Sequence, residues 1–203
     1  EVVFEGGREL ELDAVSEVPR YYVCNAYGVC GIYSAPGTAV KEAYDTSGIV
    51  TNDRGVTVWL KGNRVSRNQI MAIKEESVTE QKNSLAVCLD NILRHAGITR
   101  NTEYDLAQGK TATTILSENM TGVQVLDLSG CTLDAVLYYV NQDIPVLAIL
   151  EDGEAVLVTG FNEFNVVIME PATGKLYKKG MNDATTWFAE NGNHFITYMR
   201  IEN

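Results

Sequence analysis

Basic residues and histidines are scarce in this 203-residue chain. Lys and Arg number 16 against 27 Asp and Glu, which gives a formal net charge of −11. Such a charge repels phosphate backbones and anionic lipid, and it removes the attraction on which nucleic-acid binding depends. We therefore expect no nucleic-acid partner. Only 2 histidines are present, so imidazole chemistry would have to use His95 or His194.

Long apolar runs are also missing. Apolar stretches such as residues 146–150 are far shorter than the roughly 20 residues that a membrane helix requires. We therefore expect no membrane span within this chain. The first residue is Glu1 rather than a methionine, which suggests that a signal peptide or anchor was removed. An extracellular or cell-surface location is the expectation that follows.

Cysteine and the common cofactor motifs are sparse as well. Four cysteines are too few for a disulfide scaffold, and neither Cys88 nor Cys131 has a close sequence neighbour for a zinc site. Cys24 and Cys30 flank a segment in which a hairpin turn could set them opposite each other, so a disulfide and two free strand cysteines both stay open. No glycine-rich phosphate loop, Gly-x-Ser-x-Gly elbow or His-Glu-x-x-His helix is present. We expect no metal and no cofactor.

The first part of the chain predicts a small strand-rich domain with one helix. β-branched and aromatic residues indicate strands over 21–23 and 29–33, and Pro36 opens a helix through Tyr44 that Gly48 ends. A turn at residues 52–55 predicts a hairpin of strands 49–51 and 56–60. A short helix capped by Ser66 and a polar connection follow, so we place a boundary near residue 75, with domains 1–75 and 76–203.

The second part predicts helices followed by an antiparallel sheet. Apolar residues at helical spacing after residue 84 indicate a buried helix, with Asn83 or Ser84 as its N-cap and Gly97 as its end. Further helices are predicted over 111–119 and 132–141. Strands are then predicted over 146–150, 155–159, 166–169 and 195–201. This order is typical of an α+β fold.

Three segments of this second part resemble one peptidase family. The segment QKNSLAVCLDNILRHAG, residues 81–97, is similar to the opening motif of the bacteriocin-leader (double-glycine) cysteine peptidases, Gln-x-Asp-Cys-Gly-x-x-Cys-Leu-x-Met-Ile. DGEAVLVTGFN, residues 152–162, resembles the family's Gly-His-x-Val-Val-Val-x-Gly-Tyr hairpin. VVIMEPATGK, residues 166–175, resembles its strand ending in Asp-Pro-Ala-x-Gly-Lys. The resemblance implies a papain-like fold for residues 76–203, preceded by the small α/β domain.

The resemblance also implies where the active site would lie, and each catalytic position departs from the family pattern. The nucleophilic cysteine is replaced by Ser84, the basic histidine by Glu154 and the orienting aspartate by Glu170. Gln81 matches the residue whose amide helps to form the oxyanion hole. A carboxylate is about 2 pKa units less basic than imidazole, and a serine hydroxyl is a far poorer nucleophile than a thiolate. We therefore expect almost no acyl transfer.

Three interpretations of function follow. The first is an inactive, cysteine-peptidase-like protein of bacterial type that binds an extended peptide in the vestigial cleft. The second is an active cysteine peptidase that uses Cys88 with His194. The third is a purely structural extracellular module. Simpler roles also exist for each residue, since Ser84 suits a helix N-cap, Cys88 a buried thiol, His95 a helix C-terminus and Glu154 a solvated turn.

Overall fold

The computed structural model describes residues 18–62, 70 and 73–201. In chain order the elements are β1 (Tyr21–Cys24), β2 (Cys30–Tyr33), α1 (Pro36–Thr46), β3 (Ile49–Asn52), β4 (Thr57–Leu60), α2 (Ser84–His95), α3 (Glu103–Ala107), α4 (Ala112–Asn119), β5 (Val123–Asp127), α5 (Leu133–Asn141), β6 (Val146–Ile149), β7 (Ala155–Phe161), β8 (Asn165–Glu170), β9 (Lys175–Gly180), α6 (Met181–Glu190) and β10 (His194–Arg200). The helix predicted to begin at Ser66 lies outside the described residues.

The first four strands form an antiparallel sheet in the order β2-β1-β3-β4, with α1 packed against it. Pro36 begins α1 because its fixed φ suits the first helical turn. The helix ends at Ser47, which has a left-handed φ of 54°. Of the two alternatives for the hairpin cysteines, the structure contains the Cys24–Cys30 disulfide, which joins directly paired residues of β1 and β2.

The other six strands form a second antiparallel sheet in the order β5-β10-β6-β7-β8-β9. All residues of β7 are buried, and since successive side chains point to opposite faces, this strand is covered on both sides. Helices α2 and α5 both pack against it. Among the described residues, none of the helices has the length and apolar character that crossing a bilayer would require.

The mixed α/β architecture agrees with the sequence expectation, but the order of elements is less simple. The four predicted C-terminal strands correspond to β6, β7, β8 and β10, whereas β5 precedes α5, and β9 and α6 lie between β8 and β10. Helices therefore do not all come first. Strand β9, with the sequence KLYKKG, shows no apolar alternation because it lies at the sheet edge. Helix α6 contains Thr, Trp and Phe, which are weaker helix formers.

Buried hydrogen bonds join β4 of the first sheet to α5, the helix that packs against the second sheet. The Trp59 Nε1–H of β4 donates to the carbonyl of Ala135 in α5 at 2.9 Å, and the Tyr139 hydroxyl donates to the carbonyl of Val58 at 3.1 Å. Buried apolar side chains from both sheets also belong to one continuous cluster. The division of the chain into two domains near residue 75 stays a prediction.

Candidate functional site

Ser84 lies at the start of the buried helix α2. Asn83 is the N-cap, since its side-chain oxygen accepts a hydrogen bond from the Ala86 N–H at 2.9 Å. Ser84 is the first helical residue and is only 2% exposed. Its Oγ accepts a hydrogen bond from the Ala155 N–H at 2.9 Å. This hydroxyl therefore connects the N-terminus of α2 to the first residue of β7.

Glu154 directly precedes that strand and is exposed. Its N–H donates to Asp152 Oδ1 at 3.0 Å, and its carbonyl accepts from the Leu150 N–H at 2.8 Å. These two bonds close the hairpin between β6 and β7. Because the bond to Ser84 involves the next residue, the structure brings the Ser84 hydroxyl against the backbone that follows Glu154.

Glu170 ends β8 and is held by neighbouring hydroxyls. Thr173 Oγ1 donates to one carboxylate oxygen at 2.7 Å, and the Tyr177 hydroxyl of β9 donates to the other at 3.4 Å. Burial, together with the nearby Glu170 charge, raises the pKa of Tyr177 to about 12. Leu157 pairs with Met169, so continuing this register sets Glu170 opposite Val156, near the same end of β7 as Glu154.

Gln81 belongs to a tight turn just before α2. Its N–H lies 3.3 Å from Thr79 Oγ1, and Thr79 and Lys82 form a short antiparallel bridge. The side chain is exposed. Gln81 is thus close to Ser84 in the chain and lies on the surface.

Cys88 and His194 differ sharply in exposure. Cys88 is completely buried in α2. Burial, followed by the charges of Glu154 and Glu76, raises the pKa of its thiol well above the ordinary range. His194 is exposed at the start of β10, which is separated from β7 by β6. The other histidine, His95, is mostly buried, and its Nδ1 lies 3.1 Å from the Tyr198 hydroxyl.

Polar residues that the sequence analysis did not identify hold α2 in place. The buried Asp90 carboxylate accepts from Lys82 Nζ at 2.5 Å and from the Thr102 N–H at 2.9 Å. The Asn91 amide and the Arg94 guanidinium both donate to Glu76 Oε2. Asp90 and Asn91 interrupt the apolar stripe of the helix in the sequence. That interruption could have indicated buried polar side chains with hydrogen-bond partners.

This arrangement has limited chemical capacity. It offers a serine hydroxyl already bonded to backbone, an exposed carboxylate at the histidine position and a carboxylate held by two hydroxyls. Within the part of the chain that the structure describes, no group of three or more His, Cys, Asp or Glu residues could hold a metal ion. These hydrogen bonds connect neighbouring elements of the fold, and none of them activates the Ser84 hydroxyl as a nucleophile.

Comparison with known proteins shows a similarity in fold to a solved structure. No protein-family model matches the chain, and no curated protein matches it significantly. Among solved structures, the crystal structure named as a putative C39-like peptidase from Bacillus anthracis is similar, with a TM-score of 0.56 and 12% sequence identity. The similarity covers 68% of this chain and 100% of that chain. At this identity it shows the fold alone, a mixed α/β fold of the general papain type.

Proposed function

We propose that this chain is a catalytically inactive relative of the bacteriocin-leader cysteine peptidases that binds an extended peptide beside the lost active site. One observation carries the proposal. At the N-terminus of α2, where such a peptidase places its cysteine, the buried Ser84 hydroxyl accepts a hydrogen bond from the Ala155 backbone. Such a structural contact at this position supports a residue that no longer acts as a nucleophile.

The residue types at this position support the absence of catalysis. A serine hydroxyl becomes a useful nucleophile only when a neighbouring base removes its proton. Glu154 offers a carboxylate where an imidazole is required, and carboxylates are weak bases near neutral pH. The Ser84 oxygen also accepts a hydrogen bond from the Ala155 N–H, which occupies a lone pair that attack on a carbonyl would use.

The alternative enzyme, using Cys88 with His194, has less support. A cysteine nucleophile must be accessible and must form thiolate readily. Cys88 is completely buried, and burial raises the pKa of its thiol. Both properties favour a core role for this side chain.

Peptide binding and location are supported by separate features. An exposed sheet edge can accept an extended chain as an additional strand, and the six-stranded sheet of this chain has such edges at β5 and β9. The Cys24–Cys30 disulfide supports an oxidising compartment, hence an extracellular or cell-surface location.

A peptidase assay with designed variants tests the loss of catalysis. The substrate is a peptide with a double glycine followed by a fluorogenic group. We expect no turnover by the wild type and slow turnover by the triple variant Ser84→Cys/Glu154→His/Glu170→Asp. Ser84→Cys alone should stay inactive because the three groups act as a unit. Circular dichroism checks that every variant is folded.

Two outcomes would contradict the proposal. Wild-type turnover that disappears in Cys88→Ala and in His194→Ala would establish the active peptidase. Failure of the protein to bind any immobilised extended peptide, whatever its charge, would favour the purely structural module.

A further inference from the structure

Strand β9 (Lys175–Gly180) is the terminal strand of the six-stranded sheet. One side of it pairs with β8 along its whole length. The other side is a sheet edge, and such an edge directs backbone N–H and C=O groups outward, where an extended chain can pair with them. Most residues of β9 are partly or fully exposed.

A carboxylate of the protein itself already occupies part of this edge. The Leu176 N–H donates to Glu75 Oε1 at 3.0 Å, so this amide points away from β8. Because the direction of backbone groups alternates along a strand, the N–H and C=O of Lys178 point outward as well. Glu75 occupies the outward-pointing amide of Leu176, and the next outward-pointing amide along β9 is that of Lys178.

The edge is also basic, although the whole protein is acidic. Lys175, Lys178 and Lys179 lie on β9 in a chain whose net charge is −11. None of the ion pairs found between described residues involves these three lysines. Lys179 Nζ instead lies 5.1 Å from the centre of the Trp187 ring.

Three carboxylates lie close to the strand. Glu75 is bonded to the Leu176 amide, and Glu170 is bonded to the hydroxyls of Thr173 and Tyr177. Asp183 lies beside Gly180, at the far end of β9. Lys178 and Lys179 therefore lie along the strand between the acidic groups at its two ends.

An exposed aromatic side chain lies at the end of this basic edge. Phe164 is 70% exposed, and its carbonyl accepts a hydrogen bond from the Met181 N–H directly after β9. Large apolar side chains with such exposure are typical contacts for a partner when polar groups surround them.

We propose that the outer edge of β9 binds an acidic, extended peptide segment as an additional strand. The inference rests on the proposed peptide-binding function, and it adds the sheet edge of β9 to the contact surface proposed beside Ser84. The main chain of the peptide pairs with the outward N–H and C=O of Lys178. Its Asp or Glu side chains meet the ammonium group of Lys178, and an apolar side chain packs on Phe164.

Labelled peptides of different charge test this proposal. Fluorescence anisotropy would compare short fluorescein-labelled peptides of alternating Glu-Val, Ser-Val and Lys-Val. We expect the Glu-Val peptide to bind most tightly and to weaken as salt increases. Lys178→Glu should weaken its binding by about threefold to tenfold. Lys41→Glu, an equal charge change at an exposed position of α1, should leave it nearly unchanged.

A second pair of variants separates charge from strand pairing. Lys178→Gln removes the ammonium group and keeps the N–H, whereas Lys178→Pro removes both. Proline is tolerated on an edge strand where the N–H faces outward. We expect the proline variant to bind more weakly than the glutamine variant, and amide exchange at Lys178 to slow when the wild type is saturated with the Glu-Val peptide.

The outcomes distinguish this proposal from the broader function. Equal binding of the Glu-Val and Ser-Val peptides, with no effect of Lys178→Glu, would overturn the acidic-edge proposal and leave peptide binding intact. Binding of none of the peptides would overturn both. Tighter binding of a single-stranded oligonucleotide than of the Glu-Val peptide would show non-specific attraction of anions and would also overturn the acidic-edge proposal.

Discussion

At the scale of single residues, the hydroxyl of Ser84 joins two elements. Its Oγ is the hydrogen-bond partner of the Ala155 N–H, and the site is buried. Ser84→Ala would leave that amide unpaired, so we expect the free energy of unfolding to fall by about 1–3 kcal/mol. Urea denaturation measures the change. Ser117→Ala, at an exposed position of α4, is the control and should change stability little; an equally stable Ser84→Ala variant would contradict the structural role.

Cys88 provides a second test at this scale. The thiol is completely buried, and its pKa is raised well above the ordinary range, chiefly by burial. The neutral thiol therefore persists in the folded protein at pH values where an unfolded chain has begun to form thiolate. Stability from this group is present at neutral pH and falls as pH rises above the ordinary thiol range.

We expect iodoacetamide to alkylate Cys88 slowly in the native protein at neutral pH and rapidly in denaturant. Peptide mass spectrometry after timed quenching follows the labelling. Rapid, selective alkylation of Cys88 in the folded protein would contradict its assignment as a core thiol and revive the cysteine-peptidase interpretation.

At the scale of elements, helix α2 depends on a buried ion pair. Asp90 accepts from Lys82 and from the Thr102 N–H, and its side chain is 1% exposed. Asp90→Ala would leave the buried Thr102 N–H unpaired, whereas the partly exposed Lys82 could turn to solvent, so we expect a loss of about 1–3 kcal/mol. Thermal and urea denaturation measure it. Asp45→Ala, at an exposed position of α1, should have little effect, and equal stabilities of the two variants would contradict the anchoring role.

The hairpin of β1 and β2 gives another prediction for an element. The Cys24–Cys30 disulfide closes a short loop at the edge of the four-stranded sheet, and a loop of this length stabilises a fold by about 2 kcal/mol in the chain-entropy model. Protein produced under oxidising conditions should lose about that much on reduction. Intact mass with and without reductant checks the bond. An unchanged mass would contradict the disulfide and weaken the proposed extracellular location.

At the scale of the whole molecule, Trp59 connects the four-stranded sheet to helix α5, which packs against the six-stranded sheet. Its indole N–H donates to the carbonyl of Ala135, and the side chain is fully buried. Trp59→Phe would remove this hydrogen bond and leave space where the indole packed, at a cost of about 1–3 kcal/mol. The other tryptophan, Trp187, lies in α6 and would report on the six-stranded sheet. We expect its fluorescence transition and the far-ultraviolet circular dichroism transition to move together.

The control for this experiment is Tyr27→Phe, at the 92% exposed tip of the first hairpin. It should leave both transitions in place. If Trp59→Phe shifts the unfolding transition measured by circular dichroism and leaves the transition measured by Trp187 fluorescence unchanged, the two sheets unfold independently. That result would favour separate domains divided near residue 75.

The strongly patterned elements were predictable from the sequence. Apolar residues at helical spacing gave α2, and the β-branched runs gave β6, β7, β8 and β10, because burial on one or both faces imposes a regular pattern. Strand β9 was missed because an edge strand buries little and can carry three lysines. The short helix α3 and the aromatic-containing α6 were missed because neither has a strong local signal.

The sequence by itself determined the charge of the protein, its scarcity of histidine, the types of residue at positions 81, 84, 154 and 170, and the expectation of a papain-like domain. Only the tertiary structure decided what those residues contact: Ser84 bonds to the Ala155 backbone, and Glu170 bonds to Thr173 and Tyr177. The physical reason is distance along the chain. Local propensity acts over a few residues, whereas the partner of Ser84 lies 71 positions away, and only the packing of α2 against β7 brings the two together.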